Sequence, residues 1–196
     1  MSVIRAFIAI SLSPEIYQRL EETSRLLQER LPRAQVRWVP AQNIHLTIKF
    51  LGNVSLSNLE RLKEVLQAEV SRHPAFEISV GELGAFPSNQ RPRVLWIGIE
   101  APPELSALQR GIEAEMARLG YAREERPFSP HLTLGRVARN ASGEEIRQVS
   151  VALGQSKVGF LGATRIQWVH LFRSDLSPGG AVYSQLLSVP LAAIAQ

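Results

Sequence analysis

The chain has 196 residues, 45% of them hydrophobic and 20% charged, enough for one sizeable domain or two small lobes sharing an interface. It contains no cysteine, which excludes disulfides, thiolate metal ligands and a cysteine nucleophile. No apolar run approaches the ~20 residues of a membrane-spanning helix. The net charge is +4, and the basic side is mostly arginine, with only Lys49, Lys63 and Lys157 as lysines. Guanidinium forks suit phosphate, so an anionic partner is permitted but not named by charge.

Apolar periodicity alternates between strand and helix. Residues Val3 to Leu12 read as a first strand. The apolar N-terminus lacks a basic leader and an A-x-A-like cleavage site, so it is not read as a signal peptide, and a cytoplasmic location is expected. Ser13, Pro14 and Glu15 form a helix start, with a hydroxyl cap, proline at the first helical position and an acid near the positive end of the dipole. That helix should run to about Leu31, before Pro32. Asn43 to Gly52 reads as a strand, Ser55 or Ser57 as the cap of a helix carrying Leu59, Leu62, Leu66 and Val70, and Ala75 to Phe86 as a strand with glycine irregularities.

The plan then begins again. Arg93 to Glu100 is a strand, Pro102, Pro103 and Glu104 open a helix to about Leu119, and Gly120 is placed to end it. Ser129 to Val137 is the matching strand. A helix over Gly143 to Leu153 follows, then strands near Val158 to Leu161, Arg165 to Phe172 and Ala181 to Val189. Thirty-one positions separate Pro14 from His45, and 28 separate Pro103 from His131. The repeated order predicts an internal duplication within a single bilobal domain over 1–196, with approximate halves 1–88 and 89–196. The turn-forming stretch Gly84 to Arg93 joins the halves.

Two of the four histidines open near-identical tetrapeptides, "HLTI" at His45 and "HLTL" at His131. Side chains two apart in a strand share a face, so His45 joins Thr47 and His131 joins Thr133, with Leu46, Ile48, Leu132 and Leu134 on the opposite faces. Imidazole exchanges a proton near neutrality. Two histidines on opposite sides of a phosphodiester can serve as base and acid, a contribution of typically ~10²–10⁴-fold. Each threonine hydroxyl can donate to a phosphoryl oxygen as phosphorus becomes five-coordinate. Nothing in this scheme requires a metal or other cofactor. A zinc site would need three or four ligands, and H-E-x-x-H is absent; His73 reads as exposed at a helix end, and His170 as structural. G-x-S-x-G, Walker and G-x-G-x-x-G motifs are also absent.

The sequence resembles the two-histidine (2H) phosphoesterase superfamily, and within it the RNA 2',3'-cyclic phosphodiesterases, also called 2'-5' RNA ligases. The resemblance is carried by "RAFIAI" (Arg5 to Ile10), "WVPAQNIHLTIKFLG" (Trp38 to Gly52), "RVLWIG" (Arg93 to Gly98), "PFSPHLTLGR" (Pro127 to Arg136) and "LFRSDL" (Leu171 to Leu176). It implies an α+β fold of two pseudo-symmetric lobes, each an antiparallel sheet with flanking helices, and an active-site cleft between them. It also implies His45 as proton donor to the departing 3' oxygen, His131 as the acceptor that activates water, Thr47 and Thr133 as phosphate ligands, and Arg136 as a basic residue near the phosphate. The implied partner is RNA with 2',3'-cyclic phosphate ends, tRNA halves included, or a small cyclic nucleotide. A monomer is expected. Two alternatives are 2'-5' RNA joining by the same site and a non-catalytic module that binds RNA ends. Arg91, Arg93, Arg126 and Arg173 are further candidates for the RNA backbone, and Trp38 and Phe128 for stacking on a base.

Overall fold

The computed structural model describes residues 2–31, 36–177 and 180–193, so Pro32 lies outside the described residues. Among the described residues, nine strands and four α-helices follow in the order β1 (Val3–Ile10), α1 (Pro14–Arg30), β2 (Val36–Trp38), β3 (Leu46–Ser55), α2 (Leu59–Val70), β4 (Phe76–Phe86), β5 (Val94–Glu100), α3 (Pro103–Arg118), β6 (His131–Val137), α4 (Gly143–Gln155), β7 (Phe160–Ile166), β8 (Trp168–Ser177) and β9 (Gly180–Pro190).

Helix starts follow the chemistry of their first turns. Pro14 opens α1 with Glu15 beside it, and Ser13 stands at the cap position with extended backbone. The Ser13 hydroxyl makes no cap bond to the helix backbone; it meets the Glu15 carboxylate, whose pKa is lowered chiefly by a backbone hydrogen bond and then by this one. Neither Ser55 nor Ser57 caps α2. A 3-10 turn over Leu56–Asn58 intervenes, and Asn58 precedes the helix. At α4, Ser142 and Glu145 form a reciprocal capping box, which ties the first turn to its cap. Gly120 sits just past α3 at φ +91°, a left-handed conformation that glycine adopts without steric cost.

The strands form one antiparallel sheet in the order β7-β4-β5-β6-β3-β1-β8-β9, with β2 added beside β6. Its middle is narrow. The β3–β6 junction has a single paired position, Leu46 opposite Leu132. Reading outward from that junction gives β3, β1, β8, β9 on one side and β6, β5, β4, β7 on the other, which makes the two lobes pseudo-symmetric.

Each lobe draws on both chain halves, so 1–88 and 89–196 do not separate as lobes. Strand β4 crosses to pair with β5 and β7, while β8 and β9 return to pair beside β1. The helices cross too: α1 packs on β7, with Ile16 against Gly162, and α3 packs on β3. Edge strands of this length would be unpaired if each half closed on itself, and the exchange supplies partners for them. Leu46, Ile48, Leu132 and Leu134 are buried on the helix-covered face. Among the described residues no helix is long and apolar enough to cross a membrane.

Candidate active site

The Leu46–Leu132 pair decides the geometry of the site. In an antiparallel ladder, positions flanking a pair lie opposite each other and point to the other face. Both leucines are buried toward the helices, so His45 falls opposite Thr133 and Thr47 opposite His131, all four on the helix-free face. All four are half-buried. Each lobe thus contributes one imidazole and one hydroxyl to a single patch.

Neither histidine sits in the middle of a regular strand. The expected strand from Asn43 instead begins at Leu46, because Asn43 ends a 3-10 turn over Ala41–Asn43. Likewise β6 begins at His131, after Pro130, whose missing N–H cannot join a ladder. These irregular entries turn a carbonyl back onto each ring. His45 Nδ1 donates to Asn43 O at 2.8 Å, and His131 Nδ1 donates to Ser129 O at 2.7 Å. A carbonyl only accepts, so each Nδ1 carries the proton and each neutral ring keeps its Nε2 lone pair for a substrate.

The two rings have different surroundings. His45 stacks on Phe7 (centroids 4.7 Å apart, 27° between planes) and meets Tyr183 edge-on at 5.3 Å. Burial pushes its pKa below the usual imidazole value, and the Asn43 carbonyl only partly offsets this. His131 has an edge-on contact with Phe86 at 4.9 Å. Phe7 also stacks on Phe172 at 5.4 Å, which joins β1, β3, β8 and β9 in one aromatic cluster.

A bulge follows each motif. The register steps past Ile48 between β1 and β3, and past Leu134 between β5 and β6. Simple alternation would set Lys49 beside Thr47 on the site face. The bulge turns it inward, where Nζ donates to Glu113 Oε1 and to Ala122 O, both at 2.7 Å. Phe50 takes the outward position, 65% exposed. In the second lobe the inward position is Gly135, under Val36 and Trp38, and the outward one is Arg136.

Arg136 is exposed and lies directly opposite Arg37 of β2. Like charges facing each other across a ladder repel, and an anion between them relieves that cost. Both guanidiniums lie within electrostatic reach of Tyr183. Burial raises the Tyr183 pKa, and the two arginines pull it partly back. The phenol stays protonated near neutrality and is a hydrogen-bond donor beside His45.

The remaining candidates divide. Arg173 is held by Asp175, and Arg93 donates to Ala138 O. Arg91 lines a separate hollow beside α4, and Arg126 is exposed. Trp38 and Phe128 are half-buried and pack against the core. His170 pairs with Ala9, the residue opposite Thr47, and its Nδ1 bonds the Ser188 hydroxyl at 2.7 Å. His73 is not exposed as expected; it is half-buried, bonding Glu69 at 2.9 Å. Phe7, Tyr183 and Phe86 each touch a histidine ring through long-range pairing, and Arg37 is brought to Arg136 the same way; periodicity alone marks none of the four.

The family described as LigT like Phosphoesterase matches the chain twice, over residues 10–96 and 97–183, each match holding one His-x-Thr motif. The chain belongs to the LigT-like phosphoesterases. Among curated relatives of this family, the RNA 2',3'-cyclic phosphodiesterase of Methanothermobacter thermautotrophicus is 33% identical over 93% of this chain and 96% of its own length. The protein of that name from Escherichia coli is 36% identical, over 93% of each chain. Escherichia coli LigT complexed with 3'-AMP superposes with a TM-score of 0.77 over 97% of this chain and 99% of that one, with 26% of superposed residues identical. The α+β architecture with an antiparallel sheet is thus that of the LigT-like phosphoesterases.

Proposed function

We propose that this phosphoesterase hydrolyses RNA 2',3'-cyclic phosphate ends to 2'-phosphomonoesters without a metal, through the two His-x-Thr motifs. The carrying observation is the Leu46–Leu132 pair, which sets His45 against Thr133 and Thr47 against His131 on one face. The name of the curated relatives supports the substrate class, and the two imidazoles suffice to move both protons of the reaction.

His131 Nε2 takes a proton from water as its oxygen attacks phosphorus. The P–O3' bond breaks, and His45 Nε2–H delivers a proton to the departing O3'. Thr47 and Thr133 donate to the non-bridging oxygens, and Arg136, opposed by Arg37, offsets their charge. The direction of transfer rests on the family resemblance, and the environment of His45 suits it. Desolvation makes the protonated ring a stronger acid, and the negative charge of a bound phosphate supplies the stabilisation that protonation needs there.

The enzyme acts as a cytoplasmic monomer on this reading, on RNA ends such as those of tRNA halves or on small cyclic nucleotides. Comparing a cyclic mononucleotide with an oligonucleotide bearing the same end separates these substrates. The principal test is turnover of the cyclic-ended oligonucleotide in excess EDTA. Turnover should persist there and fall at least about 100-fold in His45→Ala and in His131→Ala. Undiminished turnover in both variants, or strict dependence on added metal, overturns the mechanism.

A further inference from the structure

The sheet order sets β9 apart from the first His-x-Thr motif. Passing from β3 to β9 crosses β1 and β8, three strand steps that would span about 14 Å in a flat sheet. Contacts close that interval nonetheless. Asn43 Nδ2, in the turn before β3, donates to Ala181 O near the start of β9 at 3.1 Å. Tyr183, two residues further on, meets the His45 ring edge-on at 5.3 Å and the Phe7 ring at 5.0 Å. The first half of β9 therefore curls toward the site. A bulge lets it do so. The β8–β9 register steps between Leu171 and Phe172, which leaves Leu186 without an opposite residue, and a bulged strand bends and twists more strongly.

Asn43 thus serves two groups at once. Its carbonyl accepts from His45 Nδ1 at 2.8 Å, and its side-chain amide holds the strand that carries Tyr183. The His45 ring is fixed on three sides, by that carbonyl, by the face of Phe7 and by the edge of Tyr183 at 84°. Turning the ring breaks the hydrogen bond or drives it into an aromatic neighbour, so Nε2 has one direction. His131 is held less closely. It has the Ser129 carbonyl and the Phe86 edge but no stacked face among the described residues, and a hollow of about 630 Å³ lined by Gly81 and Gly98 opens beside it.

A fixed donor matters because a 2',3'-cyclic phosphate offers two ester bonds to break. Its two ring oxygens sit on adjacent ribose carbons and are both bonded to phosphorus. A proton delivered to O3' gives the 2'-monoester, and one delivered to O2' gives the 3'-monoester. We infer that Asn43 is a positioning residue that, through Tyr183, aims His45 at O3' and so decides which ester bond breaks. This rests on the function proposed above. The balance is the same for either bond. The oxygen of one water bonds to phosphorus, its proton passes to His131 Nε2, one P–O bond breaks and His45 Nε2–H protonates the departing oxygen. Only the direction of the last transfer differs. A ring freed from the Tyr183 edge can tilt toward O2', and the reaction then yields a mixture.

The test measures the 2'-phosphate and 3'-phosphate formed from a cyclic-ended oligonucleotide, after subtraction of the enzyme-free reaction. The share of each product does not depend on how much of a variant is folded. Asn43→Ala keeps the carbonyl on His45 and loses the tie to Ala181, and its 3'-phosphate share should be at least about tenfold that of the wild type. Tyr183→Ala should raise the share similarly, and the Asn43→Ala/Tyr183→Ala double variant should go no further, since both act through one contact. Tyr183→Phe retains the ring edge and should keep the wild-type share. So should Val182→Thr, at an exposed residue on the other side of the same strand. A wild-type share in Asn43→Ala or Tyr183→Ala, an additive double variant, or a raised share in Tyr183→Phe or Val182→Thr overturns the inference while leaving the hydrolase intact. A wild-type protein that gives mainly 3'-phosphate, or no cyclic-end turnover, is a different result and overturns the function on which the inference rests.

Discussion

The two lobes carry the same tetrapeptide chemistry in unlike settings. Around His45 the sheet supplies Phe7 and Tyr183, which exclude water and weaken the hold of the ring on a proton. Around His131 it supplies one aromatic edge and a hollow floored with glycine. Near-identical local sequence thus gives one enclosed imidazole and one more open. The motif recurs in both lobes, and the divergence of the neighbouring strands tells the two copies apart.

The strongest way to break this comparison is to remove each ring separately. His45→Ala and His131→Ala should each lower turnover by ~10²–10⁴-fold. A substrate carrying a good leaving group in place of the 3'-oxygen should restore rate to His45→Ala and not to His131→Ala. Equal rescue of both would erase the distinction drawn between the lobes.

The bulges offer a second contrast. Lys49 is 5% exposed and ion-paired with the partly buried Glu113, while its counterpart Gly135 has no side chain to bury. Lys49→Met should destabilise the fold by ~3 kcal/mol by leaving Glu113 without its partner, and the Lys49→Met/Glu113→Leu double variant should recover most of the loss. Urea unfolding of the three proteins measures this, and a stable Lys49→Met single variant would refute the role assigned to the first bulge.

The threonines test symmetry instead of difference. Thr47→Val and Thr133→Val each remove one donor to a charged oxygen, expected to lower kcat/KM by roughly 10- to 100-fold. Similar losses in the two variants are expected, because each hydroxyl stands across the junction from the opposite imidazole. A loss in one alone would mean that only one lobe grips the phosphate.

The smallest effect concerns pH. Burial holds both His45 and His170 below the ordinary imidazole pKa. Between the folded pKa values and the unfolded value near ~6.5, the unfolded chain binds protons that the folded chain does not. Stability should therefore fall as pH drops below ~6.5 and level off once the folded-state rings are protonated too. Tm followed from pH 7.5 to 5 should show this, His45→Gln should flatten the slope, and added phosphate should lift the acid end. A wild-type Tm unchanged across that range would contradict the enclosure of His45.

Much of the fold was legible because it depends on neighbours in sequence. Helix starts at Pro14 and Pro103, the glycine stop at Gly120 and the two-residue alternation through His45 and His131 all follow from local backbone chemistry. Local reasoning was less sure at strand ends, where the Asn43 turn and Pro130 delay the ladders. It could not see the exchange of β4 and of β8–β9 between lobes, since hydrophobic pattern says that a strand is buried but not beside which partner.

The sequence by itself determined that each histidine shares a face with its threonine, because side-chain alternation is a property of a single strand. Only the tertiary structure decided that the two faces meet, that Lys49 turns away from them while Arg37 and Arg136 confront each other, and that one ring is enclosed and the other open. Those outcomes depend on which distant residues pair across β3 and β6 and where a bulge shifts the register, and buried contacts between elements far apart in the chain set both.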